Sequence, residues 1–398
     1  MIIHPKIRGF ICTTAHPVGC AKHIQDQIDY VKSQKPIISA PKKVLVIGAS
    51  NGYGLSSRIV AAFAGSKAST IGVSFEKEPE EKRTATAGWY NTAAFEEKAK
   101  KEGLYARSFN GDAFSDEMKE IVAKTIKNDL GQVDLVIYSL ASPRRQHPKT
   151  GQLAKSVLRP IGAPYTNKSI NMETDKLEVV SLPPATDEEI VQTVSVMGGE
   201  DWEVWIDVLE KEKLLSQGGK TVAYSYIGPE VTRAVYRNGT IGKAKDHLEA
   251  TAKKLDERLK KINGRALISV NKALVTQSSS AIPFIPLYFI VLNKIMREKG
   301  IDEDCIHQIY RLFSERLSVG NEIIVDSSGF IRLDDLEMRE DVQVKVNEVW
   351  AKLNDDNLRQ LTDLEGYHKD FLKLFGFGLD GVNYDVDVDP NLRIPSLV

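Results

Sequence analysis

Lys43-Val-Leu-Val-Ile-Gly48-Ala-Ser-Asn-Gly52-Tyr-Gly54 decides the fold. Its first half is an unbroken aliphatic, β-branched run, the pattern of a strand covered on both faces of a parallel sheet. Three glycines follow at once, and behind them Leu55, Ile59, Val60 and Phe63 recur at helical spacing. A strand that turns through glycines into a helix aims free amides and the positive end of the helix dipole at whatever sits above the turn, which suits a dinucleotide pyrophosphate. Gly48 serves the tight turn, Gly52 lets the backbone approach phosphate, and Gly54 lets the helix lie close to the strand. The spacing, G-x-x-x-G-x-G, departs from the common G-x-G-x-x-G.

The alternation extends outward from this point. Strands are predicted at residues 70–75, 105–109 and 133–138, with helices at 93–101 and 115–130 between them. The fold class is therefore α/β, a Rossmann-type doubly wound parallel sheet. Residues 143–219, with Pro160, Pro164, Pro183 and Pro184 and an aromatic helix at 201–214, read as a central insertion. The pattern resumes with a strand at 221–227, a helix at 242–262 and a strand at 266–270. An apolar helix from Ser280, a helix at 305–317, a hairpin of residues 322–325 and 330–333, and a helix at 342–353 follow. No linker divides the chain, so one elaborated domain over 1–398 is expected, with its core at 43–142 and 220–300, an N-terminal extension before Lys43 and C-terminal additions over 301–398.

The chain has 398 residues, 53 basic and 54 acidic for a net charge of −1, and is 42% hydrophobic, which excludes a small disulfide-stapled module and a general nucleic-acid binder. Cys12, Cys20 and Cys305 form no C-x-x-C pair, and residues 1–20 lack a continuous apolar core, so a cytoplasmic protein is expected. The longest apolar run, 281–292, holds Pro283 and Pro286 and falls short of the roughly 20 residues a membrane span needs, so no membrane insertion is expected. Asp385-Val-Asp-Val-Asp389 resembles the start of a calcium loop, but Pro390 takes the glycine position, so no metal is expected.

Residues 48–52 also spell G-x-S-x-G, the elbow of an α/β-hydrolase with Ser50 as nucleophile. Such an elbow normally follows several strands and an oxyanion loop, and here only residues 1–42 precede the strand. The dinucleotide reading asks instead for an acid about 20 residues on, at the end of the second strand, and Glu76 stands there after Phe75. Its carboxylate would accept both ribose hydroxyls and repel a 2′-phosphate, favouring NADH; Lys77 beside it leaves a solvated strand end as the alternative. Asp112-Ala113 and Leu140-Ala141 close the next two strands at the edge where such ligands bind. The cofactor set is thus Gly48, Ala49, Ser50, Asn51, Gly52, Tyr53, Gly54, Phe75, Glu76, Asp112, Ala113, Leu140 and Ala141. A serine hydrolase and a nucleotide-binding regulator without catalysis remain the alternatives.

Tyr224, Tyr226 and Tyr236 follow the strand after the insertion, and Lys245 lies nine positions beyond the last. On an unbroken helix nine positions turn about 900° and rise about 13.5 Å, setting the pair on opposite faces. Asn238-Gly239-Thr240-Ile241-Gly242 should break that helix and let Tyr236 fold back toward Lys245. With Tyr236-x8-Lys245, the glycine turn, Tyr138-Ser-Leu-Ala-Ser-Pro-Arg-Arg145, Val196-Met-Gly-Gly-Glu-Asp-Trp202 and Leu274-Val-Thr-Gln-Ser-Ser, nearly the whole chain resembles the trans-2-enoyl-CoA reductase and type V enoyl-ACP reductase family. The resemblance implies NADH-dependent reduction of the carbon–carbon double bond of an enoyl-CoA or enoyl-acyl-carrier-protein thioester in fatty acid biosynthesis; a monomer is the expected state.

That chemistry fits the residues. Hydride arriving at the β-carbon drives charge onto the thioester oxygen, which needs a positioned donor. Tyr236 would be that donor and the proton source, Lys245 would hold the nicotinamide ribose, and Tyr226 would bind the thioester carbonyl; Tyr224 reads as an ordinary packed aromatic. Leu274, Val275 and Thr276 would reach the nicotinamide carboxamide. Ile282, Phe284, Ile285, Leu287 and Phe289 would line an acyl pocket or pack the core, and Arg144, Arg145, Lys149 and Lys155 offer a local basic stretch for CoA phosphates or an acidic carrier.

Overall fold

The computed structural model describes residues 1–398 except Phe10, Lys82, Val319, Asn321 and Val398 and the side chain of Ala281. Seven strands form one parallel sheet: β1 Lys43–Ile47, β2 Ser69–Ser74, β3 Ala106–Asn110, β4 Val133–Tyr138, β5 Leu215–Ser225, β6 Arg265–Val270 and β7 Phe330–Arg332. Their order is β7-β6-β5-β4-β1-β2-β3. The chain winds one way from β1 to β3 and the other way from β4, so the crevice for a ligand opens above the carboxyl ends of β1 and β4.

Residues alternate across the sheet along β1. Val44 and Val46 of β1 face a layer built by α1 Pro17–Ser33, α2 Gly52–Phe63, α3 Ala87–Lys101 and the later helix Cys305–Arg311, whereas Leu45 and Ile47 face α4 Asp116–Thr125 and the helices that follow. Both faces are covered, which is why β1 carries no polar side chain after Lys43. In chain order the remaining longer helices of the fold are α5 Asp187–Met197, α6 Glu200–Lys211, α7 Thr240–Leu259, α8 Ile285–Glu298, α9 Cys305–Arg311, α10 Glu340–Lys352 and α11 Leu364–Lys373, of which α6 and α7 cover the Leu45 and Ile47 face. A third apolar cluster gathers α8, α10 and α11 around Leu287, Tyr288, Val346, Trp350 and Phe371, and it includes Tyr236 and Val275. Among the described residues no helix is long and apolar enough to cross a membrane.

Two sequence expectations are corrected. Residues 330–333 do not pair with 322–325 as a hairpin: Phe330–Arg332 adds to the sheet edge, parallel to Ile268–Val270 of β6, and residues 322–325 form no strand. The turn after Asp326 looks like a hairpin turn locally, but the strand's partner is supplied from far away in sequence. The insertion is also shorter than 143–219. β5 begins at Leu215, and α6 buries Trp202 and Trp205 completely in the core beneath the sheet, so the looser material ends with α5. Within it, Arg144–Gln146 pairs with Leu153–Lys155 and Tyr165–Asn171 with Lys176–Leu182 as two antiparallel hairpins.

Candidate functional site

The glycine turn is built as its spacing implied. Gly48 sits at φ +85, and a Cβ there would lie 2.2 Å from the Ser139 carbonyl oxygen, so the loops after β1 and β4 touch at the point where the winding reverses. A Cβ on Gly54 would lie 1.9 Å from the Gly48 carbonyl, which holds α2 against the strand end only as glycine. Gly52 takes φ +52 and faces Thr276, whose Cγ2 would stand 3.8 Å from an added Cβ. Asn51 precedes α2 without a side-chain cap, leaving the first-turn amides open to an anion. These residues fit a dinucleotide pyrophosphate. A cavity of about 290 Å³ opens beside them, lined among others by Asn51, Gly52, Leu55, Thr276 and Asn293.

Glu76 stands next to this turn. Ser50 Oγ donates to its Oε1 at 2.5 Å and Thr86 Oγ1 to its Oε2 at 2.5 Å, while Asn110 brackets its backbone with bonds of 2.7 and 3.0 Å. Burial pushes its pKa up from the ordinary carboxylate value, against the pull of those two hydroxyl bonds. Gly88 makes room for it, since a Cβ there would meet Oε1 at 2.1 Å. The hydroxyl of Ser50 is bound to this carboxylate and not to a histidine, so it lacks the base a hydrolase nucleophile needs. Phe75 is 76% exposed beside it, a free aromatic face at the end of β2. Asp112 Oδ1 accepts from Phe114 N at 2.9 Å, and Leu140 and Ala141 lie at the open end of β4. One side chain departs from expectation: Tyr53 turns its hydroxyl into the body of the protein, where Lys272 O and Gln308 Oε1, both at 2.9 Å, share its one proton, so only its backbone belongs to the turn.

At the end of β5 the three tyrosines separate by their hydroxyls. Tyr224 shares a 2.6 Å bond with Ser57 of α2, which commits its hydroxyl to the packing between β5 and that helix. The Tyr226 hydroxyl lies within hydrogen-bond distance of Glu337 Oε1, at 2.9 Å. Tyr236, 9% exposed, packs its ring edge-on against Tyr226 with centroids 5.0 Å apart, and among the described residues its hydroxyl has no hydrogen-bond partner. The backbone reversal is real: the Tyr236 carbonyl accepts from Gly239 N at 3.2 Å and Gly242 N at 3.0 Å, and α7 starts afresh at Thr240. Gly242 is required there, because a Cβ would lie 1.8 Å from the Arg237 carbonyl. Lys245, one turn into α7, reaches back to β5 and donates to Tyr224 O at 3.3 Å. Burial lowers its ammonium to about 8, with Glu249 opposing and Arg237 assisting.

The loop after β6 completes this end. Ser279 Oγ donates to Leu274 O at 2.6 Å and accepts from Thr276 N at 2.9 Å, which folds residues 274–276 back toward Gly52. The Ala273 amide donates to Glu337 Oε2 at 2.7 Å. Glu337 was invisible in sequence: it sits in the acidic run Asp334-Asp335-Leu336-Glu337, which reads as a solvated loop. Ile282, Ile285, Leu287 and Phe289 are buried in the cluster that contains Tyr236, and Phe284 is completely buried beside them in sequence. Phe284 holds φ +68, a strained value for an aromatic.

The basic stretch is only partly free. Arg145 is buried and paired with Glu200 at 2.7 Å and Ser195 O at 2.8 Å, so it ties two sequence motifs together and cannot greet a phosphate. Arg144 and Lys155 face each other across the hairpin, exposed, with Lys149 exposed at its turn. Asp201, the neighbour of Glu200, pairs with buried Lys119 at 2.8 Å and accepts from Tyr138 at 3.1 Å beneath β4. The glycine-rich Val196–Trp202 motif is therefore framework.

Three family models match the chain: an NAD(P)H binding domain of trans-2-enoyl-CoA reductase over residues 2–81, a trans-2-enoyl-CoA reductase catalytic region over 83–318, and an enoyl reductase FAD binding domain over 325–388. An enoyl-[acyl-carrier-protein] reductase [NADH] of Flavobacterium johnsoniae is 59% identical over 100% of both chains. A Clostridium trans-2-enoyl-CoA reductase solved with NADH is 46% identical over 99% of both chains with a TM-score of 0.96. That of Treponema denticola, solved with NAD, is 51% identical over 99% of both with a TM-score of 0.93. A flavin does not fit residues 325–388 here. Val342, Val346, Trp350, Leu364, Tyr367 and Phe371 are buried around α8, and residues 333–339, between β7 and α10, contain no glycine to form a phosphate turn.

Proposed function

This chain belongs to the trans-2-enoyl-CoA reductase family and reduces the C2=C3 double bond of trans-2-enoyl thioesters with NADH, and within that reaction we propose that Tyr236 is the acid that serves the thioester oxygen. The observation that carries this role is that Tyr236, alone among the three tyrosines at the end of β5, has an uncommitted hydroxyl. NADH, when bound, supplies the hydride for the β-carbon. Negative charge then gathers on the thioester oxygen, where a phenol held in an apolar cluster donates strongly because little water competes. Tyr226 is the second donor to that oxygen. Lys245 holds the nicotinamide ribose and, as a cation, favours release of the Tyr236 proton.

The cofactor's pyrophosphate is held over the open amides of α2, with Gly48, Ala49, Ser50, Asn51, Gly52, Tyr53 and Gly54 as the cradle. Phe75, Asp112 and Ala113 serve the adenine end, Leu140, Ala141, Leu274, Val275 and Thr276 the nicotinamide end, and Glu76 the adenosine ribose. Glu76→Gln is expected to remove the charge that opposes a 2′-phosphate while keeping the bonded shape, and to shift the ratio of kcat/KM for NADPH over NADH upward about tenfold, the equivalent of about 1.4 kcal/mol. Parallel kinetics with both cofactors measure it, and an unchanged ratio removes Glu76 from cofactor selection.

The protein acts in fatty acid biosynthesis as one elaborated domain and as a cytoplasmic monomer. Its unpaired cysteines fit a reducing compartment, and one chain supplies every residue named above. Arg144, Lys149 and Lys155 meet the phosphates of CoA or an acidic carrier protein. Steady-state NADH oxidation with crotonyl-CoA, dodecenoyl-CoA and their carrier-protein esters tests this reading; turnover is expected on both carriers, and no turnover on any of the four would reject it.

A further inference from the structure

Glu337 is completely buried in the link between β7 and α10, and its carboxyl group is surrounded by donors. Oε1 faces Tyr226 Oη at 2.9 Å and Tyr288 Oη of α8 at 2.7 Å, and Oε2 faces the Ala273 amide at 2.7 Å. From α10, Gln343 Nε2 donates to Tyr288 Oη at 3.2 Å and to the Glu337 carbonyl at 2.7 Å. Lys272, the cation facing this group from the loop after β6, is committed to Asp302 at 3.0 Å. Tyr236 packs edge-on against the Tyr226 ring, with centroids 5.0 Å apart.

A phenol has one proton to give. With Glu337 ionised, Tyr226, Tyr288 and the Ala273 amide all donate to it, and Tyr226 has nothing left for a substrate. With Glu337 protonated, its own O–H donates to Tyr226 Oη while the same oxygen accepts from Tyr288 and the other accepts from Ala273. Every contact in the structure is kept, and the Tyr226 O–H is released. We propose that Glu337 is a positioning residue that works in its protonated form, setting the Tyr226 hydroxyl as a donor toward the thioester oxygen that Tyr236 serves. The inference rests on the assignment of Tyr226 to that oxygen. Burial, the first cause acting on Glu337, favours the neutral carboxyl, against the bonds from Ala273, Tyr288 and Tyr226 and the charge of Lys272.

Glu337→Gln separates this from a structural role, because an amide donates permanently where the neutral carboxyl donates and still accepts from Ala273. The experiment measures crotonyl-CoA kcat across pH and the NADH dissociation constant for wild type, Tyr226→Phe, Glu337→Gln, Glu337→Ala and the double variant Tyr226→Phe/Glu337→Ala. Tyr226→Phe and Glu337→Ala are expected to lose about 10- to 100-fold in kcat, the range for one hydrogen bond to developing charge, with NADH affinity unchanged. The double variant should be no worse than either single one. Glu337→Gln should stay within about threefold of wild type and lose the alkaline fall in kcat that ionisation of Glu337 causes. A Glu337→Gln variant as slow as Glu337→Ala overturns the inference, since a carboxylate would then be needed, as does a Glu337→Ala variant at wild-type rate beside an impaired Tyr226→Phe. Full turnover in Tyr226→Phe overturns the Tyr226 assignment and the inference together.

Discussion

Tyr236→Phe is expected to lower kcat on crotonyl-CoA by about 10²- to 10³-fold, the effect of removing one donor from a developing oxyanion, while fold and NADH affinity stay as they are. The argument is one of accounting for hydrogen bonds. The Tyr236 hydroxyl has no partner among the described residues, so deleting it strands nothing, and the ring remains in its cluster with the edge-on contact to Tyr226. Stability should move by less than about 0.5 kcal/mol. Tyr224→Phe is the control with the opposite pattern: it breaks the bond to Ser57, costs about 1 kcal/mol of stability and leaves turnover near wild type. Steady-state rates beside thermal melts of both variants decide the matter. More than a tenth of wild-type kcat in Tyr236→Phe would take Tyr236 out of the chemistry.

The part of this site that sequence displays is the part made by local rules. β1 and its glycine turn are contiguous, so the run 43–47 and the three glycines announce both the strand and the reason each glycine must be one. The break at Asn238–Gly242 is likewise local: those residues interrupt the helix on which Tyr236 and Lys245 would diverge, and a new helix starts at Thr240. What sequence hides depends on partners far along the chain. β7 has three residues and earns its place only by pairing with β6, so its nearest apolar run looked like the other arm of a hairpin. Glu337 meets Tyr226 across 111 positions, and nothing in an acidic loop distinguishes a completely buried carboxyl from a solvated one. Arg145 shows the converse error, a basic residue in a basic stretch that is consumed by Glu200.

Lys245→Met is expected to lower kcat/KM for NADH by about 10³-fold, since two charge-assisted hydrogen bonds to the ribose at about 2 kcal/mol each are lost together. The pH profile makes the test sharper than the loss. Burial lowers the Lys245 ammonium to about 8, so the charged form is present below that value and disappears as pH rises through it. Wild-type kcat/KM for NADH should therefore be flat below about pH 7 and fall about tenfold per unit well above 8, and Lys245→Met should be low throughout with that limb absent. Lys245→Arg keeps its charge over the whole range, so it should lose the limb even if its broader fork fits the ribose poorly. Glu249 holds the ammonium up, so Glu249→Gln should move the limb to lower pH without changing the low-pH plateau. A Lys245→Met enzyme that still shows the wild-type limb would assign that ionisation to another group. The limb from Glu337 is separable by the variants themselves, because Glu337→Gln removes that limb and keeps the one from Lys245, whereas Lys245→Arg does the reverse.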